Sequence, residues 1–285
     1  MGAMARGLAA SAALLALAAT AGTANAQLRP DPPLDCRAFS DAVARQDCAR
    51  ANAGNAQAQA STGLLYVAGR GVPVDYAAAL RLFRLAAGQG NVAANAYLGA
   101  MYAAGRGVAP DDREAVRLFR AAADKGNPVA QVDLADMYAT GRGVAKNDDE
   151  ATRLYRLAAR QGNADGMNGV AWRLAIGGGD LDEALNWADR AAALEPQNSG
   201  FQDTLGWILF RQKKLELALF HAQRAVALEP RCAPCEDHLG DIVAALGRRD
   251  EARGHWQRAL KLSAGMPSAD PDWDRADVAR KLSEP

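Results

Sequence analysis

The chain has 285 residues, of which 49% are hydrophobic and only 6% aromatic, so it is long enough to bury a large core. Its 33 basic and 33 acidic residues give a formal net charge of zero, and no run of basic residues interrupts the sequence. Because nucleic-acid-binding proteins need a basic patch, this balance excludes nucleic acid from the expected partners.

Residues 1–26 carry the features of a cleavable signal peptide. Arg6 provides a positive n-region, residues 8–19 an apolar stretch, and the Ala-Asn-Ala of residues 24–26 a cleavage site of small residues. The apolar stretch is too short to span a bilayer, and no later segment is apolar enough to do so. We therefore expect cleavage after Ala26 and a periplasmic or secreted protein with no transmembrane segment.

Residues 27–55 are predicted to form a linker and an N-terminal cap with a cysteine pair. The linker is rich in proline and polar residues. A single helix between Cys36 and Cys48 would hold them roughly 18 Å apart at 1.5 Å per residue, too far for a disulfide. A helix-turn-helix would join them, and the oxidising compartment that an export signal implies favours the bond.

A unit of 36 residues repeats three times over residues 56–163 and organises the chain. Its first half predicts a helix that ends at a Gly-x-Gly loop, where glycine supplies the left-handed backbone of a C-terminal cap. Its second half predicts a helix that begins at Asp75, Asp111 or Asn147 and ends before a Gly-Asn pair. Because one such hairpin cannot bury its own apolar face, the copies must stack into an all-α solenoid.

The repeated motif Leu-Gly-x-x-Tyr-x-x-Gly-x-Gly-Val, followed by Ala-Ala-x-x-Gly-Asn, resembles the Sel1-like repeat. In the middle copy the two parts of the motif are residues 98–108 and 122–127. The resemblance implies an α/α solenoid, a right-handed superhelix of helical hairpins related to tetratricopeptide (TPR) arrays. It also implies a protein that binds other proteins.

The period shortens to 34 residues over residues 164–263, where Arg190–Pro196 recurs as Arg224–Pro230 and a looser third copy follows. This part resembles three TPR units. Trp172 stands where the first unit would carry a small residue, so we expect a wider helix contact there. Residues 264–285 are predicted to form a Pro/Gly/Ser loop and a helix that caps the last repeat, as solenoids require.

Cys232 and Cys235 form a Cys-x-x-Cys motif at the start of a predicted helix. A helix N-terminus lowers a thiol pKa, and this spacing is also that of redox sites. The surrounding repeats lack the βαβ pattern of a thioredoxin-like fold, so we predict a structural disulfide, as between Cys36 and Cys48. A metal site with His238 would offer only three thiolate or imidazole ligands, so no metal is predicted.

Arg70, Arg106 and Arg142 recur at the 36-residue period in the Gly-x-Gly loops. On a solenoid they would line one edge and present a ladder of guanidinium groups to carboxylates or phosphates. The alternative is that they are solvated loop arginines, paired with acidic residues of adjacent units.

No pattern of catalytic residues appears in the sequence, so we expect neither an enzyme nor a cofactor. It shows no nucleophile with a nearby histidine and acid, no phosphate loop and no cluster of metal ligands. Two enzymatic alternatives stay open. One is thiol oxidoreductase chemistry at Cys232 and Cys235. The other is beta-lactam binding or hydrolysis, which the resemblance to cysteine-rich Sel1-like proteins implies, although the Sel1-like units of this chain contain no cysteine.

The repeats favour an exported scaffold that binds a peptide or helix of a protein partner in its concave groove. The resemblance to TPR arrays places the groove contacts on the first helix of each unit. The corresponding residues of this chain are Arg173, Asp203, Trp207, Phe210, Arg211 and Asp241. An aromatic pair flanked by opposite charges is typical of an interface hot spot, and the alternative is that Trp207 and Phe210 pack between repeats.

Overall fold

A computed structural model describes residues 32–264 and 273–283 of the chain. Within these residues the chain forms a 3-10 helix at Cys36–Ala38, 14 α-helices and no strand, which confirms the all-α prediction. The predicted signal peptide lies outside the described residues. The helices are α1 (Ala42–Asn52), α2 (Ala56–Ala68), α3 (Tyr76–Gly88), α4 (Val92–Ala104), α5 (Asp112–Ala123), α6 (Pro128–Thr140), α7 (Asp148–Arg160), α8 (Ala164–Ile176), α9 (Leu181–Leu194), α10 (Ser199–Arg211), α11 (Leu215–Leu228), α12 (Ala233–Ala245), α13 (Arg249–Leu262) and α14 (Arg275–Ser283).

The helices from α2 to α13 pair into six hairpins that stack in chain order. The first helices of successive hairpins contact one another from α4 to α12, whereas the second helices of successive hairpins make at most marginal contacts within the described residues. A stack in which one layer packs more closely curves toward that layer, so the first helices line the concave face. The predicted α/α solenoid is confirmed, and its right-handed sense stays a prediction.

Side-chain caps and glycines set the helix boundaries of the repeats. The first helices begin at asparagines whose side chains accept a backbone N–H three residues on, at 2.7–3.0 Å: Asn55, Asn91, Asn127 and Asn163. Asp75, Asp111 and Asn147 cap the second helices in the same way, as the sequence predicted. Each Gly-x-Gly loop supplies the positive φ that a left-handed C-terminal cap requires, for example 64° at Gly105.

A short N-terminal segment covers the first repeat. Cys36 lies in the 3-10 helix and Cys48 in α1, and the turn between them brings their Cα atoms to 5.5 Å within the predicted disulfide. Phe39 is fully buried and meets the ring of Tyr66 edge-on at 5.3 Å. This contact shields the apolar end of the stack, which one repeat cannot bury alone.

The helix α14 covers the last repeat. Val278 is fully buried against it, and the Lys281 ammonium donates to Asp237 at 2.9 Å and to Asp241 at 2.8 Å, both on α12. Trp273 also donates its indole N–H to Asp237 at 3.0 Å. The end of the solenoid is therefore held by an ion-pair network as well as by apolar contact.

Candidate functional site

Two adjacent cavities open among the first helices, and together we call them the groove. The first has a volume of about 430 Å³ and is lined mainly by α6 and α8. The second has a volume of about 280 Å³ and is lined by α8, α10 and α12, with Trp273 beside them. Both cavities include Asn168 and Trp172 of α8, so the groove is continuous across four repeats.

Three carboxyl groups, those of Asp133, Asp136 and Asp165, make the first cavity acidic. Burial raises the pKa of Asp133 to about 7, and the charges of Asp136 and Asp165 add to the rise. Burial also raises the pKa of Asp136, although its hydrogen bond from the Tyr155 hydroxyl opposes this. Asp136 and Asp165 are nonetheless exposed to solvent, and no lysine or arginine is among the described residues that line the cavity. This end of the groove therefore attracts cations.

The raised carboxyl pKa values predict that stability falls as the pH rises from about 5 to 8. A carboxyl whose pKa is raised on folding stabilises the fold most below its unfolded pKa, near 3.9, and loses that contribution as the pH passes its folded pKa. Asp133→Asn should therefore melt higher than the parent protein at pH 8 and show a flatter dependence of the melting temperature on pH.

Glu114→Gln is the control, because the hydrogen bond from Arg117 lowers the pKa of Glu114 and its titration falls below this range. Its pH dependence between about pH 5 and 8 should match that of the parent protein. An unchanged slope for Asp133→Asn would contradict the prediction.

Aromatic rings and a buried ion pair form the second cavity and the core beneath it. The His238 ring stacks on Trp207 with the centroids 4.4 Å apart and lies 5.7 Å from Trp172. Its Nδ1 atom is 2.8 Å from Asp203. Burial disfavours the charged imidazole, but the carboxylates of Asp203, Asp237 and Asp241 outweigh it and raise the pKa of His238. The pair ties α10 to α12 across the groove floor.

Of the six residues predicted for the groove, Asp203 lines the second cavity, and none of the six lines the first. Trp207 and Phe210 lie behind it with their rings 5.2 Å apart. The other three contact neighbouring helices. Arg173 pairs with Asp148 at 2.5 Å, Arg211 donates to the Ala175 carbonyl at 2.7 Å, and Asp241 accepts from Trp256 and Lys281. Their role in binding a partner stays a prediction.

Most residues that line the groove were not predicted from the sequence, because the predicted contacts were taken from the motif positions that recur in each repeat. The lining residues occupy positions that change from one copy to the next at the 36-residue period. These positions are Ala96, Val132 and Asn168; Tyr97, Asp133 and Gly169; and Ala100, Asp136 and Trp172. Variable positions on the inner helices are the signal that would have located the groove.

The loop arginines do not share one environment. Arg142 forms a bidentate pair with Asp112 of the preceding unit, at 2.6 and 3.2 Å, and donates to the Ala103 carbonyl. Arg106 instead lines an apolar cavity of about 160 Å³. Within the described residues, no side-chain hydrogen bond or ion pair is formed by Arg106 or Arg70. The pairing of Arg142 agrees with the alternative prediction, that the loop arginines pair with acidic residues of adjacent units.

The Cys232–Cys235 disulfide is present, with a Cα separation of 5.3 Å, and both cysteines line the second cavity. Cys232 is the N-cap of α12, and its sulfur accepts the backbone N–H of Cys235 at 3.1 Å. Cys235 is only 1% exposed. No group of three or more metal-ligating side chains is found in the part of the chain that the structure describes. In that part, no helix is long and apolar enough to cross a membrane.

The family model for the Sel1 repeat matches four consecutive segments, residues 56–91, 92–127, 128–163 and 164–195. The fourth segment contains the hairpin of α8 and α9. The match therefore extends one unit beyond the three Sel1-like repeats that the sequence predicted, into the segment that the 34-residue period grouped with the TPR-like units.

The solved structures that are similar to this chain include the following three. A Sel1 repeat protein from Oxalobacter formigenes is 24% identical, with 72% of this chain and 85% of that one covered and a TM-score of 0.58. The protective antigen c5321 of uropathogenic Escherichia coli, which displays an SLR fold, is 27% identical, with 76% and 56% covered and a TM-score of 0.45. YrrB, a TPR protein with an unusual peptide-binding site, is 18% identical, with 70% and 98% covered and a TM-score of 0.47.

No match was found among the curated proteins. The Oxalobacter formigenes protein has the same fold as this chain, and the family model identifies the repeats of residues 56–195 as Sel1 repeats. Such repeat solenoids serve in general as scaffolds for protein interactions and are typically not enzymes. The chain therefore carries four consecutive Sel1 repeats over residues 56–195 within an α/α solenoid, and its last hairpins are consistent with the TPR-like units that the sequence predicted.

Proposed function

We propose that this protein is an exported scaffold whose groove binds an extended, basic segment of a protein partner. One observation carries the proposal: the acidic first cavity and the aromatic second cavity are continuous across the inner helices. Carboxylates attract lysine and arginine side chains, and tryptophan faces bind both their cations and their aliphatic stems. The scaffold role needs neither a catalytic group nor a cofactor.

The length of the groove favours an extended segment. It crosses four first helices, and neighbouring helix axes lie about 8–10 Å apart. An extended chain advances about 3.3 Å per residue, so roughly eight residues would follow the groove from α6 to α12. Every second side chain of such a segment would point into the groove, and the cavities would select among these side chains without forming a deep pocket.

Export is supported by the two disulfides and by the N-terminal sequence. Disulfides persist in the periplasm and outside the cell, whereas reducing systems remove them in the cytosol. The disulfide within the Cys-x-x-Cys motif has a structural use, because it closes the first turn of α12 beside the groove. The intact mass of protein recovered from the envelope should be that of a chain that begins at Gln27, and a mass that includes Arg6 would contradict cleavage.

Site-specific photocrosslinking tests the groove. A photoreactive benzoylphenylalanine placed at Trp172 should capture a protein partner from an envelope extract, because that position belongs to both cavities. The same residue placed at Gln223 is the control, since Gln223 is exposed on α11, a second helix. Mass spectrometry should identify a crosslinked peptide rich in lysine or arginine.

Charge reversal at Asp133 and Asp136 then tests the basic character of the segment. The double substitution Asp133→Lys and Asp136→Lys should reduce the crosslink at position 172 at least tenfold, because it replaces attraction with repulsion. A matching circular dichroism spectrum would show that the fold is retained. Equal capture from positions 172 and 223, or an acidic crosslinked peptide, would overturn the proposal.

A further inference from the structure

The second cavity contains two buried oxygen atoms that accept no hydrogen bond from the described residues. One is Oδ1 of Asp203, a residue that is only 8% exposed and whose other oxygen binds His238. The second is Oδ1 of Asn168 on α8. A buried acceptor without a donor is unfavourable and therefore rare, so two of them on one cavity indicate a place for a ligand that donates hydrogen bonds.

The walls of this cavity favour a cationic donor. Trp172 and Trp273 both line it, and indole faces attract cations that lie within about 6 Å. No lysine or arginine is among the residues that line the cavity. Among the described residues of the cavity wall, His238 alone offsets the charge of Asp203, and it does so through the other carboxylate oxygen.

The equivalent carboxylate of the next repeat binds an ammonium group. Asp237 lies 34 residues after Asp203, at the same place in the TPR-like unit. There the carboxylate accepts a hydrogen bond from the Lys281 ammonium at 2.9 Å, and Trp273 donates to its other oxygen at 3.0 Å. The Oδ2 atom of Asp203 binds the imidazole ring of His238, whereas its Oδ1 atom has no partner among the described residues.

From these contacts we propose that the second cavity binds a primary ammonium group, supplied by a lysine side chain or the amino terminus of the partner segment. The inference rests on the proposed function and names the group that is recognised. An ammonium has three donors and a guanidinium five, and two unpartnered acceptors match the smaller number. The indole walls would cover the remaining face of the cation.

Titration with a small amine tests the cavity without any partner. The probe is n-butylammonium, and n-butanol is its neutral control of similar shape. In NMR spectra of the mature protein, butylammonium should shift the indole N–H signals of Trp172 and Trp273, assigned by single Trp→Phe variants. Butanol at the same concentrations should leave them unchanged. Equal shifts from both compounds would overturn the inference.

Two variants change the acceptors in opposite directions. Asp203→Asn keeps an oxygen for His238 and should weaken the apparent affinity for butylammonium at least tenfold. Asn168→Asp adds a second carboxylate and should tighten it by about threefold or more. If Asp203→Asn does not fold, Asn168→Asp decides, and an affinity no tighter than that of the parent protein overturns the inference.

Two further probes separate the sources of the ammonium. Nα-acetyl-lysine amide offers only a side-chain ammonium, and alanyl-leucine amide offers only a terminal one. The tighter of the two identifies the part of the partner segment that enters the cavity. If crosslinking fails but the cavity binds the amine, the proposed function alone is overturned. Successful crosslinking without amine binding would overturn this inference alone.

Discussion

Gly143→Ala is expected to destabilise the protein by about 3 kcal/mol or more, although it replaces only one hydrogen atom with a methyl group. The backbone of Gly143 has a φ of 66°, and a Cβ atom there would lie 2.2 Å from the Asp112 carbonyl oxygen. The left-handed conformation costs a non-glycine residue about 1–2 kcal/mol. The clash adds to this, because the contacted atom is backbone and cannot rotate away.

Gly126→Ala separates the two contributions. Gly126 has a φ of 83°, and a Cβ atom there would meet nothing within 4 Å. It should therefore cost only the conformational term of about 1–2 kcal/mol. Urea denaturation followed by circular dichroism measures both variants. Similar losses from the two would show that the loop at Gly143 moves away freely, and the clash argument would be wrong.

The second glycine of the Gly-x-Gly loop recurs because the loop lies too close to the preceding segment to accommodate a side chain. A Cβ atom at Gly107 would lie 2.7 Å from the Tyr76 side chain, as one at Gly143 would strike Asp112. Tyr76 and Asp112 are the first residues of α3 and α5, so each of these two loops packs against the hairpin before it. The repeated glycine thus sets the spacing of the stack. Arg142, which lies between the two glycines of its loop, binds Asp112 of the same preceding hairpin.

The features that could be predicted from the sequence are those fixed within one repeat. A cap depends on residues three positions apart, and a helix depends on its own periodicity, so both are determined locally. Asp75 and Asp111 therefore begin helices where expected, and the paired cysteines are close enough in sequence to define their own bond. The solenoid follows from the repetition of these local units.

The groove could not be predicted in the same way, because it depends on which side chains of different repeats meet. Asp203 matches a TPR contact position, yet its partner His238 is 35 residues away and its cavity is shared with Asn168. Asp241 matches a contact position as well, but Lys281 on α14 binds it across 40 residues. Neither relation has a periodic signature, so each appears only when the stack is built.

Trp207→Ala is expected to cost about 3 kcal/mol of stability, as truncation of a packed tryptophan does. Trp207 is half-buried, stacks on His238 of the next repeat and lies 5.2 Å from the Phe210 ring. Removing it leaves a gap between α10 and α12. Arg211→Glu, by contrast, loses one hydrogen bond to the Ala175 carbonyl at an exposed position and should cost less than about 1 kcal/mol.

Trp207→Phe distinguishes a packing residue from a groove anchor. The indole N–H of Trp207 is buried and has no acceptor among the described residues, so phenylalanine removes an unsatisfied donor while it keeps the ring against His238. Its melting temperature should therefore stay within a few degrees of the parent value, whereas that of Trp207→Ala falls steeply. If Trp207→Ala instead melts like the parent protein but loses the crosslink from position 172, Trp207 contributes to the binding surface rather than to the core.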